Sequence, residues 1–400
     1  MDLVVRNAIL LGREDPVDIS VSAGMITSVR PRVQARADVE IDADHKLVLP
    51  TFIEPHVHLD KAFLAEKLPE AESMSEARRR VRDAKAAFTE DDVFRRAERC
   101  IREALLHGVT AIRTHVDVDS MAGLRSFRAL TRLKAMYSKT IKIQLVAFPQ
   151  EGFSRDKEAF GLLEKAIELG AGAVGGLPET EGSLSEGIRH LENVTRLAEE
   201  HNLPLDVHCD VQPYTSFIEH YAKLVKKVGL RGRATADHII ALSYYDDSLA
   251  NSIIRELKSS NMNVITNPCT MMVGGSQDPP PRGRGITRVK EIMRAGVNIA
   301  YGLDNVVDPY NPFGEFHPLK NGWLLAYEAQ LNREADFEAI LRMPTYNSAL
   351  ILGLKGYGIE PGCSADFNVL SESTPREALR KGATANVVVK DGRILSQVQS

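Results

Sequence analysis

The 400-residue chain is poor in cysteine, with four in all. Cys100, Cys209, Cys269 and Cys363 are scattered, and none stands in a Cys-x-x-Cys spacing. That excludes a disulfide framework and a cysteine zinc site, and it points to a reducing cytoplasm. No apolar run is long enough to span a bilayer. The start, Met1 to Arg6, lacks the basic opening and continuous apolar core of a signal peptide, so none is expected. Charge of one sign is not in excess. The net value is −4 with no basic block, which argues against nucleic acid and against a membrane surface as partner. The single tryptophan, Trp323, carries no motif. What remains is 44% hydrophobic and 26% charged, an ordinary globular composition with length for one large domain and a smaller one.

Both ends read as β-structure. Residues 3–31 alternate apolar and polar in short runs, with Gly24 as a turn signal. Residues 365–370 and 385–389 read the same way, followed by the Asp391-Gly392 hairpin signal. We expect a composite β-sandwich domain from residues 1–50 and 355–400. The middle, 51–354, alternates apolar runs with charged helical patterns. The runs are the segment before His56, then 109–118, 141–147, 171–176, 203–208, 235–241, 262–266 and 297–302. Eight strand–helix units in that length predict a (β/α)8 TIM barrel. No GxGxxG follows the first barrel strand, so a dinucleotide fold is not indicated.

Barrel sites form at the C-terminal ends of the strands. The first strand ends in His56-Val57-His58. Side chains two apart on a strand share a face, so two imidazoles project together. The fifth ends at His208, the sixth at Asp237-His238, the eighth at Asp304-Asn305. The fourth, ending in Gly175-Gly176-Leu177-Pro178, offers neither a ligand nor a lysine. Three histidines and a carboxylate suit one divalent ion, Zn or Fe, with room for water. His238 is placed to hold or deprotonate that water. His115 and Asp117 read as hydrogen-bonded supports of the ligands. His107, His190, His201 and His220 are assigned no role. The Gly/Pro-rich stretch from Met271 to Gly285, with Arg282 and Arg284, reads as a lid or as a surface loop.

These residues resemble the metal-dependent amidohydrolase superfamily, in its cytosine deaminase-like branch, which also holds the N-isopropylammelide hydrolase of triazine breakdown. The matching stretches are PHVHLDK (55–61), RTHVDVD (113–119), VAFPQEG (146–152), DVHCD (206–210), RGITRVKE (284–291), Asp304-Asn305 and YGIEPGCSADF (357–367). The resemblance covers nearly the whole chain. It implies a hydrolytic deaminase of a pyrimidine or aminotriazine ring, with metal-activated water attacking a ring carbon and ammonia or an amine leaving. It assigns His56, His58, His208 and Asp304 to one metal ion and His238 to the water. Gln150 would hydrogen-bond the substrate ring. Lys61 and Asn305 are similar to the triazine members. The resemblance also favours a homo-oligomer.

One position departs from the pattern. Cytosine deaminases read His-Cys-Asp-Glu on strand five, where the glutamate shuttles protons. Here Val211 follows Asp210, and valine carries no proton. Asp210 can take the role, Asp304 and His238 can share it, or the substrate differs. Lys61 either binds an anionic substrate group or pairs with Asp60 or Asp119. Two other functions stay open: an amidohydrolase of a cyclic or acyclic amide, and a metal-binding relative without turnover.

Overall fold

The computed structural model describes residues 1–213, 215–274 and 285–397. The stretch read as a lid lies largely outside the described residues, as do Arg282 and Arg284. The N-terminal strands are β1 (Leu3–Leu10), β2 (Val17–Ser22), β3 (Met25–Arg30), β4 (Val39–Asp42) and β5 (Leu47–Pro50). Eight more follow: β6 (Phe52–Val57), β7 (Val109–Asp117), β8 (Lys142–Phe148), β9 (Ala173–Gly176), β10 (Leu205–Cys209), β11 (Ala234–His238), β12 (Asn263–Thr266) and β13 (Asn298–Tyr301). The last three are β14 (Phe367–Leu370), β15 (Ala385–Lys390) and β16 (Arg393–Gln397).

Strands β6 to β13 pair in sequence order, each parallel to the next. The ring closes just past the last strand. The amide of His58 donates to the Asp304 carbonyl at 2.8 Å, and the amide of Asp304 donates to the His56 carbonyl at 2.8 Å. This is the expected TIM barrel. Every residue of β7 is buried, as expected of a parallel strand covered on both faces. The covering helices begin at side-chain caps. Thr89, Ser183 and Asp246 accept from the amides of Asp92, Glu186 and Leu249, satisfying donors that the first helical turn leaves unpaired.

The terminal strands form a second sheet in the order β16-β15-β14-β5-β1-β2-β3, with β4 also pairing β1. The two ends of the chain meet where β5 runs antiparallel to β14. This sheet has its own apolar core, which includes Val5, Ile19, Val21, Phe367 and Val389. Strand β4 and the helices Met74–Ala84 and Pro375–Lys381 are additions to the expected pattern. Among the described residues no helix is long and apolar enough to cross a membrane.

Barrel closure depends on one close approach. A Cβ at Gly302 would lie 2.8 Å from Cβ of His56 and 2.7 Å from Oδ1 of Asn267. Only glycine lets the eighth strand's end pass this near to the first histidine.

Candidate active site

The strand ends that carry polar side chains turn sharply. Asp210, His238 and Asp304 all have positive φ, at 52°, 70° and 69°. Such conformations are uncommon for residues with a Cβ and concentrate at functional sites. They aim side chains inward or backward from the barrel rim.

His56, His58, His208 and Asp304 converge, one ligand atom of each within 4.8 Å of all the others. Nε2 of His58 lies 3.2 Å from Nε2 of His208. Asp304 Oδ1 lies 3.5 Å from Nε2 of His56 and 3.3 Å from Nε2 of His58. Ligands bound at about 2.1 Å in a tetrahedron stand about 3.4 Å apart, so these spacings fit one small divalent ion. Nε2 of His56 has no hydrogen-bond partner among the described residues. The donor set therefore fits a metal.

The imidazole rings are held from behind. Asp237, fully buried, sets Oδ2 3.0 Å from Nδ1 of His56 and 3.7 Å from Nδ1 of His208. The same oxygen is 3.6 Å from Nε2 of His115, which lies 3.4 Å from Asp206. Arg113 completes the chain with an ion pair to Asp206 at 2.5 Å. Burial raises the Asp237 pKa well above the usual carboxylate range, and neighbouring Asp206 adds to it. Asp206 moves the other way: against burial, its bond with Asp237 and the charge of Arg113 hold it low. Burial keeps His58 and His208 neutral, with pKa values well below the ordinary imidazole range. His56 differs. Burial opposes its protonation, but Asp237 and Asp304 outweigh burial and raise its pKa.

His238 faces the same cavity. Burial first, then nearby imidazoles, lower its pKa to about 3, so it is neutral at physiological pH. Nδ2 of Asn267 stands 3.2 Å from His238 Nδ1. With that amide donating, the ring's proton sits on Nε2, which is free of other partners among the described residues. Asn267, at the seventh strand end, was given no role by the sequence pattern; its signal was only its place there.

Around these lie Lys61, Gln150, Leu177, Val211, Asn305 and Tyr310, with Met74 and Arg78 from the unforeseen helix. Lys61 is 1% exposed. Its partner is neither Asp60 nor Asp119 but Asp117, at 2.6 Å. Lys61 also donates to Oε1 of Gln150 at 3.1 Å. Burial lowers the Lys61 pKa, but Asp117 and Asp60 overcome this and leave it raised. Asp117 is shared with Lys85, which also pairs with Asp119 and Glu151. With its oxygen committed to Lys61, Gln150 keeps its NH2 for the cavity. Asn305 is the reverse: its NH2 donates to Asp308 at 2.6 Å, which leaves its carbonyl oxygen.

Asp210 does not fill the proton-shuttling position. Its oxygens accept the amides of Phe217 at 2.7 Å and Ile218 at 3.1 Å. The carboxylate caps the start of the next helix and is fully buried away from the cavity. Its left-handed backbone turns it there, a turn that strand position alone does not encode. Val211 does line the cavity.

Comparison with known proteins agrees with this arrangement. Residues 64–396 match the amidohydrolase family. The chain is 31% identical to N-isopropylammelide isopropyl amidohydrolase of Pseudomonas sp. (strain ADP), covering 98% of this chain and 97% of that protein. It is 27% identical to pterin deaminase of Rhizobium rhizogenes, covering 95% and 88%. The structure of 5-methylcytosine deaminase from Klebsiella pneumoniae with 5-fluorocytosine superposes with a TM-score of 0.95 at 31% identity, covering 99% and 98%. The barrel, its strand-end site and these likenesses lead to one conclusion: the chain belongs to the amidohydrolase family, in its cytosine deaminase-like branch.

Proposed function

We propose that the protein is a hydrolytic deaminase of a nitrogen heterocycle of the pyrimidine or aminotriazine type, acting with one divalent metal ion, Zn or Fe. The observation that carries this reading is the cavity's pairing of a three-histidine, one-aspartate donor set with amide groups of opposite polarity. His56, His58, His208 and Asp304 would hold the ion. Once bound, it would lower the pKa of a water and supply hydroxide near neutral pH. Asp304, itself one of these four, would also take a proton from the attacking water. His238, neutral and protonated on Nε2, donates a hydrogen bond to the oxygen that gains charge at the ring carbon. Gln150 offers a donor to a ring nitrogen or carbonyl, and Asn305 offers an acceptor to a ring N–H. Lys61 keeps Gln150 in that orientation. Relatives named for 5-methylcytosine, pterin and N-isopropylammelide support a flat aminated ring as substrate.

Val211 favours a second reading, cleavage of a cyclic or acyclic amide, because the cavity wall lacks the shuttling carboxyl there. The unpaired cysteines support a cytoplasmic setting; a homo-oligomer belongs to the same proposal. The test is ammonia or amine release by metal-loaded protein across cytosines, aminotriazines, pterins and cyclic amides. Release from aminated rings is expected. Turnover confined to amides would overturn the deaminase reading, and stoichiometric metal without any turnover would favour a binding protein.

A further inference from the structure

The turn after β9 brings a carboxyl against the backbone of Val211. Leu177 and Val211 both line the cavity. Glu179 follows Leu177 by two residues, and its Oε1 accepts the amide of Val211 itself at 2.6 Å. The hydroxyl of Thr215 donates to the same oxygen at 2.9 Å. The same hydroxyl also lies 2.8 Å from the Gln212 carbonyl, so the Val211 amide is the committed donor to Oε1. The Gln212 amide and the Asp210 carboxylate also adjoin the group. The side chain is only partly buried. We propose that Glu179 is the proton donor to the departing amine, reaching position 211 from the neighbouring strand end.

This inference rests on the deaminase reading. Burial and the nearby Asp210 charge raise the Glu179 pKa to about 8, so the acid form is present at neutral pH. A neutral carboxyl whose Oε1 accepts the Val211 amide carries its proton on Oε2. When the ring carbon has taken up hydroxyl, the carbon–nitrogen bond breaks and its electron pair stays on nitrogen. The Glu179 proton passes to that nitrogen, and the amine leaves neutral. The carboxylate left behind regains the proton released by the water that supplied the hydroxyl. Atoms and charge balance over the cycle.

Glu179→Gln separates this role from a structural one. Glutamine keeps an oxygen for Val211 and Thr215 but carries no transferable proton. With metal content equal to wild type, we expect kcat on an aminated ring to fall about 100-fold or more, with KM changed less than about threefold. The deficit should shrink at least tenfold on the same ring bearing chloride, whose departure needs no proton. Wild-type deamination with Glu179→Gln within threefold of it would overturn the inference and leave the functional reading intact. An equal deficit for amine and chloride would also overturn it. Failure of wild type on every aminated ring would remove the functional reading, and this inference with it.

Discussion

Asp237 Oδ2 stands 3.0 Å from Nδ1 of His56, and neither side chain is exposed to solvent. The same oxygen is near His208 and His115. One carboxyl therefore orients rings contributed by three other strands. A ligating histidine held at its far nitrogen loses rotational freedom and keeps Nε2 toward the ion. Asp237→Ala should weaken metal binding by about 10–100-fold, read by competition with a chromophoric chelator. Unchanged affinity would mean that packing alone fixes the rings.

Part of this site was legible from sequence alone. His56-Val57-His58 ends a strand, and period-two alternation is enough to place both rings together. His208, His238 and Asp304 followed because barrel chemistry gathers at strand ends. Asp210 failed by the same rule. A strand-end residue with φ of 52° no longer obeys alternation, and its carboxylate found two helix-start amides instead. Lys61 was ambiguous because its partner, Asp117, is 56 positions away on the adjacent strand end. Glu179 was invisible because it lies past the strand, in a turn whose direction no pattern encodes.

Lys61 and Asp117 form a buried pair that should show coupling. Lys61→Met removes one charge and leaves Asp117 leaning on Lys85 alone. Breaking such a pair costs about 3–5 kcal/mol. The double variant Lys61→Met/Asp117→Asn should recover part of that loss in denaturant unfolding, since no lone charge remains. Additive losses would show that the two do not interact energetically. KM should rise in either lysine variant, because Gln150 loses the donor that orients it.

Metal loading should depend on pH with a defined sign. In the metal-free protein, Asp237 and Asp304 hold a proton on His56 more tightly than in free histidine. An ion that takes His56 Nε2 must displace that proton. Affinity therefore rises with pH, by about tenfold per pH unit for each proton displaced, until His56 is neutral in the free protein. Titration of apoprotein with Zn²⁺ between about pH 6 and about pH 8 tests the slope. A flat profile would mean that His56 binds without losing a proton.

Gly302 offers a test of the site through the backbone. It has no side chain because His56 and Asn267 occupy the space a Cβ would need, at 2.8 Å and 2.7 Å. Asn267 also supports His238. Adding one methyl group must move His56, Asn267 or the closing strand end. Gly302→Ala should destabilise the protein by about 1–3 kcal/mol through overpacking. It should lower metal affinity as well, because His56 cannot yield without shifting Nε2. A control substitution, Gly170→Ala, meets nothing within 4 Å but sits at φ +95°. It should cost stability through the backbone alone and leave the metal affinity at the wild-type value. Equal metal affinity in the two variants would show that the site tolerates displacement of the first strand.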